Sequence, residues 1–163
     1  MTFLITTFFG AGLLRPAPGT WGSLAALPAA WGLYMIAGPI GCLIGSAIVF
    51  GVGWWATAIE TRGKDDHDPS EIVIDEVAGQ WIALVPLFFG AASNNVDVLA
   101  LWPGWITAFL AFRFFDITKF GPIGWADRRG DALGVMLDDV IAGIFAAVVV
   151  VVFAGISHGL LMS

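Results

Sequence analysis

From Pro16 to Ile59 no residue carries a charge. A run this long exceeds the roughly 20 apolar residues that one membrane crossing needs. Gly38-Pro39 divides it into a short stretch over 22–37, with Pro28 inside, and a second over 40–60 that is closed by Glu60. Three more apolar stretches follow, from near Ile72 to near Ala92, over 98–116 and over 134–156. The pattern predicts an all-α integral membrane bundle of about five helices, the first short enough to be re-entrant, in a single membrane-embedded domain over 1–163. Gly41 and Gly45 stand at GxxxG spacing, which suits a close helix contact.

Two segments precede the bundle. Residues 1–14 are too short to span and read as an interfacial segment or a short half-buried helix. They carry no charge, so they lack the basic start of a cleavable signal peptide. "RPAPGTWGS" (15–23) is a Pro/Gly turn in which Thr20, alone or with Gly19, is placed to start a helix by capping free N–H groups.

Composition supports the membrane reading over its rival, an oligomeric soluble helical core. The chain is 58% hydrophobic and 12% charged, against about 25% charged in ordinary soluble domains. A soluble fold of 163 residues could not bury eight Trp and thirteen Phe besides its aliphatic residues. The net charge of −6 argues against a nucleic-acid partner. Cys42 is the only cysteine, so an internal disulfide or a cysteine zinc cluster is excluded.

Loop charges set the expected orientation. With the N-terminus cytoplasmic and each stretch crossing once, Arg15, Arg62, Lys64, Arg113, Lys119, Arg128 and Arg129 all fall on the cytoplasmic side. The outer loops near 38–39 and 93–97 have no Lys or Arg, a positive-inside pattern.

The same alternation brings the acids together. The third helix enters with Asp75 and Glu76, the fourth leaves with Arg113 and Asp116, and the fifth enters with Asp138 and Asp139. All lie at the cytoplasmic edge, and of thirteen acids only Asp97 lies opposite. The charge-free lengths, 77–93 and 98–112, span about 22–26 Å at 1.5 Å per residue. That is shorter than the roughly 30 Å hydrocarbon core, so the charged ends sit near the interface.

Clustered carboxylates there are costly unless they face a wet or protein-lined site. Oxygen donors with few His or Cys point to a hard cation, Mg²⁺ or Mn²⁺. On a continuous helix Asp68, Glu71 and Asp75 would share one face, although Pro69 interrupts it. The plainer alternative is that Asp75-Glu76 and Asp138-Asp139 only favour helix N-termini through the dipole. Asp116 does not fit that alternative, because it stands at a helix C-terminus.

Basic residues flank this acid. Arg113 and Asp116 are three apart, as are Asp116 and Lys119. Acids that bind a metal beside two cations have the chemistry of a phosphate site. For Lys119, Arg128 and Arg129 the alternative is attraction to lipid headgroups. Cys42 has no following phosphate loop, and no DxDx[TV] motif appears. His67 and His158 fall on opposite sides, the first a solvated loop residue and the second a terminal interfacial one. Metal-activated water is the nucleophile that remains.

Four stretches carry a family resemblance: "APGTWGSLAALP" (17–28), "DPSEIVIDEVAGQW" (68–81), "FRFFDITKFGPIGWADR" (112–128) and "GVMLDDVIAGI" (134–144). Together they resemble the phosphatidylglycerophosphatase A family of bacterial membrane lipid phosphatases, in that family's order. One departure is the run Lys119-Phe120-Gly121-Pro122-Ile123, where the family has K-P-x-P-I. The resemblance implies Mg²⁺-dependent hydrolysis of phosphatidylglycerol phosphate to phosphatidylglycerol and phosphate at the bacterial inner membrane, within phospholipid biosynthesis. Mn²⁺ would be able to substitute.

Its matching acids are Asp68, Asp75, Glu76, Asp116, Asp138 and Asp139, while Glu71 falls at a variable position. On this reading Asp75, Glu76, Asp116, Asp138 and Asp139 would hold one or two Mg²⁺ ions. Arg113, Lys119, Arg128 and Thr20 would meet the phosphate. Asp68, or next Asp139, would be the base for water. The rivals are a divalent-cation carrier, which would need acids at mid-membrane, a structural subunit, and a phosphatase for another membrane lipid phosphate.

Overall fold

Gly38 adopts φ 64° and ψ −168°, a left-handed conformation that glycine tolerates, and Pro39 follows it. In the computed structural model, which describes residues 1–64 and 66–161, this break folds helix α2 (Pro18–Glu60) into a hairpin. Cys42 Sγ lies 3.8 Å from the Ala30 carbonyl oxygen, whereas twelve residues of straight helix would separate them by about 18 Å. The arms, 18–37 and 39–60, are each about 30 Å long, enough to cross a membrane. The first stretch is therefore a full-length arm rather than a re-entrant one. A Cβ on Gly45 would meet Leu33 and Trp81, so this glycine of the GxxxG pair marks a close contact inside the bundle.

Three further helices are long and apolar enough to cross: α3 (Ile74–Ser93), α4 (Trp102–Thr118), which follows a 3₁₀ turn at Val98–Leu101, and α6 (Ala132–Leu161). A short helix α5 (Pro122–Asp127) joins α4 to α6, and a five-residue helix α1 (Thr2–Thr6) opens the chain. The architecture is all-helical, with five segments long enough to cross a membrane once α2 is divided at Gly38, and no strand occurs among the described residues.

α3 is the central element. Two-thirds of its span is buried, against less than a quarter of each other span. Val77, Leu84 and Phe88 form the core with Phe112 of α4 and Met136 of α6. Trp81 Nε1–H donates to the Ala26 carbonyl at 2.9 Å, tying α3 to the first arm. Outward faces are apolar, with Ile36, Ile48, Leu110 and Val148 exposed. That is the surface a helix presents to lipid, where backbone polar groups are satisfied within the helix.

Because the long segments alternate in direction, the starts of α2, α3 and α6 and the ends of α2 and α4 share one end of the bundle. The N-terminal segment is also there, as a short half-buried helix. The Val73 N–H donates to the Thr6 carbonyl at 2.8 Å, and Gly12 packs against the Glu71 backbone.

Three local expectations change. α2 starts at Pro18 with Ala17 as its N-cap, so Thr20 lies inside the first turn and does not cap it. Proline at the first helical position needs no such cap, since its φ is already helical. The backbone before α3 is a turn, with the Ile72 N–H donating to Pro69 O at 2.8 Å, so Asp68, Glu71 and Asp75 share no helical face. α6 starts at Ala132, which places Asp138 and Asp139 beyond its first turn. The acid at that start is Asp131, which accepts from the Gly134 N–H at 2.7 Å, so capping does not account for the Asp138-Asp139 pair. His67 is exposed as expected, and the side chain of His158 lies outside the described residues.

Candidate active site

Asp75 and Glu76 open α3 one turn before Gly79, and Asp139 precedes Gly143 on α6 by the same interval. The two glycines are where α3 and α6 cross. A Cβ on Gly143 would fall 3.0 Å from the Gly79 Cα, and one on Gly79 would crowd the Asp139 carbonyl and the Phe112 ring. The close crossing brings three carboxylates together. One oxygen from each of Asp75, Glu76 and Asp139 lies within 4.8 Å of the others.

Gly19 opens the other side. A Cβ there would collide with the Glu76 carboxylate and would stand 3.1 Å from Arg113 Nη1. Glu76 therefore rests against the positive end of the first arm.

Asp75 and Asp139 are buried, 7% and 2% exposed, and Glu76 is half-buried. Asp75 Oδ1, Glu76 Oε2 and Asp139 Oδ1 have no hydrogen-bond partner among the described residues. Buried carboxylate oxygens without partners are strongly disfavoured. Three of them, all hard oxygen donors at this spacing, have the donor chemistry of a divalent-cation site.

The other two acids are already engaged. Asp116 pairs with Arg113 across one turn of α4, and Asp138 pairs with Lys119. Asp138 Oδ1 also accepts from the Asp139 N–H at 2.9 Å. The geometry thus separates the five acids into a convergent trio and two that hold cations.

Arg113 Nη1 stands 3.7 Å from Glu76 Oε1 and 3.4 Å from the Ser23 hydroxyl. Lys119 closes α4 with φ 50°, a left-handed residue that turns its side chain back to Asp138 and, at 3.0 Å, to Asp127. The Phe120-Gly121 departure from the family pattern thus leaves Lys119 at the site. Burial works against the Lys119 ammonium, but the Asp138 charge and hydrogen bond outweigh it and raise its pKa, so it stays protonated at neutral pH.

These groups line a cavity of about 290 Å³ at the shared end of the bundle. Asp68, Asp75, Glu76, Arg113, Asp116, Lys119 and Asp139 all face it, together with Gly19 and Ser70. Asp68 is exposed at the rim. Protein packed around its carboxyl thins the solvation and pushes its pKa above the usual range, while the Lys119 charge pulls it down.

Two residues expected to meet phosphate are not brought to the cavity. Thr20 lies just past Gly19 but does not line it, and Arg128 is exposed just past the end of α5. Glu71 also stays outside, its carbonyl against Gly12. Sequence reasoning missed Gly79 and Gly143. Their signal was the shared interval of one turn after Asp75 and Asp139.

Comparison with known proteins gives a consistent result. The family model described as Phosphatidylglycerophosphatase A matches residues 4–154. A protein named Phosphatidylglycerophosphatase A from Haemophilus influenzae is 40% identical over 148 residues, covering 90% of this chain and 85% of the relative. One of the same name from Escherichia coli is 35% identical over 153 residues, covering 88% and 78%. A protein from Bacteroides thetaiotaomicron, provisionally named a phosphatidylinositol-3-phosphatase, is 34% identical over 155 residues, covering 91% of each chain. No solved structure matches the chain.

Proposed function

The chain belongs to the phosphatidylglycerophosphatase A family, and from that premise we propose that it hydrolyses phosphatidylglycerol phosphate to phosphatidylglycerol and inorganic phosphate, with Mg²⁺, in bacterial phospholipid biosynthesis. The protein is then a phosphoric monoester hydrolase of the inner membrane, with its site facing the cytoplasm. One observation carries the reading: Arg113 and Lys119 share one cavity at the end of the bundle with three convergent carboxylates, each of which has an oxygen without a hydrogen-bond partner among the described residues.

Asp75, Glu76 and Asp139 fit Mg²⁺ by donor type and spacing. A divalent cation held there would polarise phosphoryl oxygens and make water a better nucleophile. Arg113 and Lys119 neutralise the remaining phosphate charge, and Asp116 and Asp138 keep those two cations aimed at it. Asp68 at the rim accepts a proton from the attacking water, with Asp139 the next choice. Water adds its oxygen to phosphorus, the ester bond to the glycerol oxygen breaks, and that oxygen takes up a proton. The apolar outer faces keep the lipid tails in the bilayer while the headgroup enters from the edge.

The Bacteroides relative supports a second reading, a phosphatase for another membrane lipid phosphate. Phosphate chemistry is common to both. A cation carrier fits less well, since the clustered acids lie at one end and the described mid-membrane segments contain none. Phosphate release from a panel of defined lipid phosphates tests these readings. Phosphatidylglycerol phosphate is the expected best substrate. Preference for a phosphoinositide or polyprenyl phosphate supports the second reading, and no release from any refutes both.

A further inference from the structure

Gln80 is wholly buried, and neither its Oε1 nor its Nε2 has a hydrogen-bond partner among the described residues. Inside a membrane bundle no bulk water can compensate, so an amide left this way destabilises the fold. Packing alone does not require it, because Leu or Met would fill the same volume.

Among the buried site groups in the same state are Glu76 Oε2, an acceptor, and Arg113 Nε, a donor. Gln80 follows Glu76 by four residues on α3, so it lies on the same face one turn deeper. Its neighbour Gly79 is the point where the Phe112 ring of α4 packs, and Arg113 is the next residue of α4. Arg113 Nη1 stands 3.7 Å from Glu76 Oε1, so the guanidinium lies beside the carboxylate that Gln80 follows by one turn, and the chemistry of the three groups is complementary. An amide offers N–H to a carboxylate and C=O to a guanidinium.

We propose that Gln80 is a positioning residue of this site. When the site engages its ligands, the Gln80 amide donates to Glu76 Oε2 and its carbonyl accepts from Arg113 Nε–H. The carboxylate and the guanidinium are then held in one fixed relation, and the Arg113 terminal nitrogens are left for phosphate. The proposal rests on the phosphatase reading above.

Gln80→Leu and Gln80→Met in the full-length purified protein test it, the second keeping the unbranched shape. Both are expected to lower kcat/KM and Mg²⁺ affinity by about 10–100-fold, as the loss of a ligand-orienting partner does. Both are also expected to leave the melting temperature unchanged or raised, because two unpartnered polar atoms are removed. In an Arg113→Lys background, which lacks the Nε–H, the effect of Gln80→Leu on Mg²⁺ affinity shrinks. Wild-type kcat/KM and Mg²⁺ affinity in both variants would overturn the proposal. So would losses that follow a lowered melting temperature in both, or full additivity with Arg113→Lys. Wild-type hydrolysis of the lipid is scored separately, so failure of the phosphatase reading is distinguishable from failure of the role given to Gln80.

Discussion

Gly143 of α6 meets Gly79 of α3 so closely that a Cβ on Gly143 would stand 3.0 Å from the Gly79 Cα. Each glycine lies one turn past an acid, so this crossing sets the separation of Asp139 from Asp75. Gly143→Ala forces the helices apart, an overpacking that costs about 1–3 kcal/mol. A shift of about 1 Å at the carboxylates is enough to lower turnover about 100-fold. Melting temperature and lipid hydrolysis should therefore both fall, whereas Gly155→Ala, which meets nothing within 4 Å, should change neither.

The division of the five acids into three and two makes a separate prediction. Asp75→Asn and Asp139→Asn should lower Mg²⁺ affinity and turnover by orders of magnitude, since a bound cation contributes several kcal/mol to the transition state. Asp116→Asn and Asp138→Asn release Arg113 and Lys119 instead, so they should raise KM more than they weaken Mg²⁺. Asp97→Asn lies at the far end, where Asp97 accepts from the Leu99 N–H at 2.9 Å. Asn caps about as well as Asp, so hydrolysis there should be unchanged. Calorimetry with Mg²⁺ beside steady-state kinetics separates the two groups.

Much of this arrangement was legible in the chain. The charge-free runs and Gly38-Pro39 give five crossings, and alternation alone brings Asp75, Asp116 and Asp139 to one end. The finer division was not legible. Whether Asp116 and Asp138 bind a cation from solution or from the protein depends on the reach of Arg113 and Lys119, and the left-handed turn at Lys119 is set by tertiary packing. Thr20 misled because threonine is a good N-cap, but Pro18 starts the helix two residues earlier. Asp138-Asp139 resembled a capping pair until α6 proved to begin at Ala132, with Asp131 taking that position.

The pH profile tests the role of Asp68. A base works deprotonated, so kcat/KM should fall as pH drops through the Asp68 pKa. Protein around the carboxyl raises that pKa above the ordinary range of about 4, so the acid limb lies above that of an unperturbed Asp. Asp68→Asn should remove the limb and leave a low, flatter rate. Lys119, with its pKa raised by Asp138 against the effect of burial, stays charged and contributes no titration near neutrality.

Orientation is read by labelling. With Cys42 replaced by Ser, single cysteines at Lys64 and at Arg129 should react only from the cytoplasmic side, since both positions are exposed at the site end. Labelling of either from outside intact cells contradicts the inward-facing site.

The central claim, that the Asp75–Glu76–Asp139 cluster works through a divalent cation on a lipid phosphate, is tested most directly by phosphate release from phosphatidylglycerol phosphate. The purified protein is assayed after exhaustive chelation and again after Mg²⁺ is restored. The account predicts loss of release on chelation and full recovery with Mg²⁺, with Asp139→Asn inactive in both conditions. Undiminished release from protein verified to be free of divalent metal would contradict it.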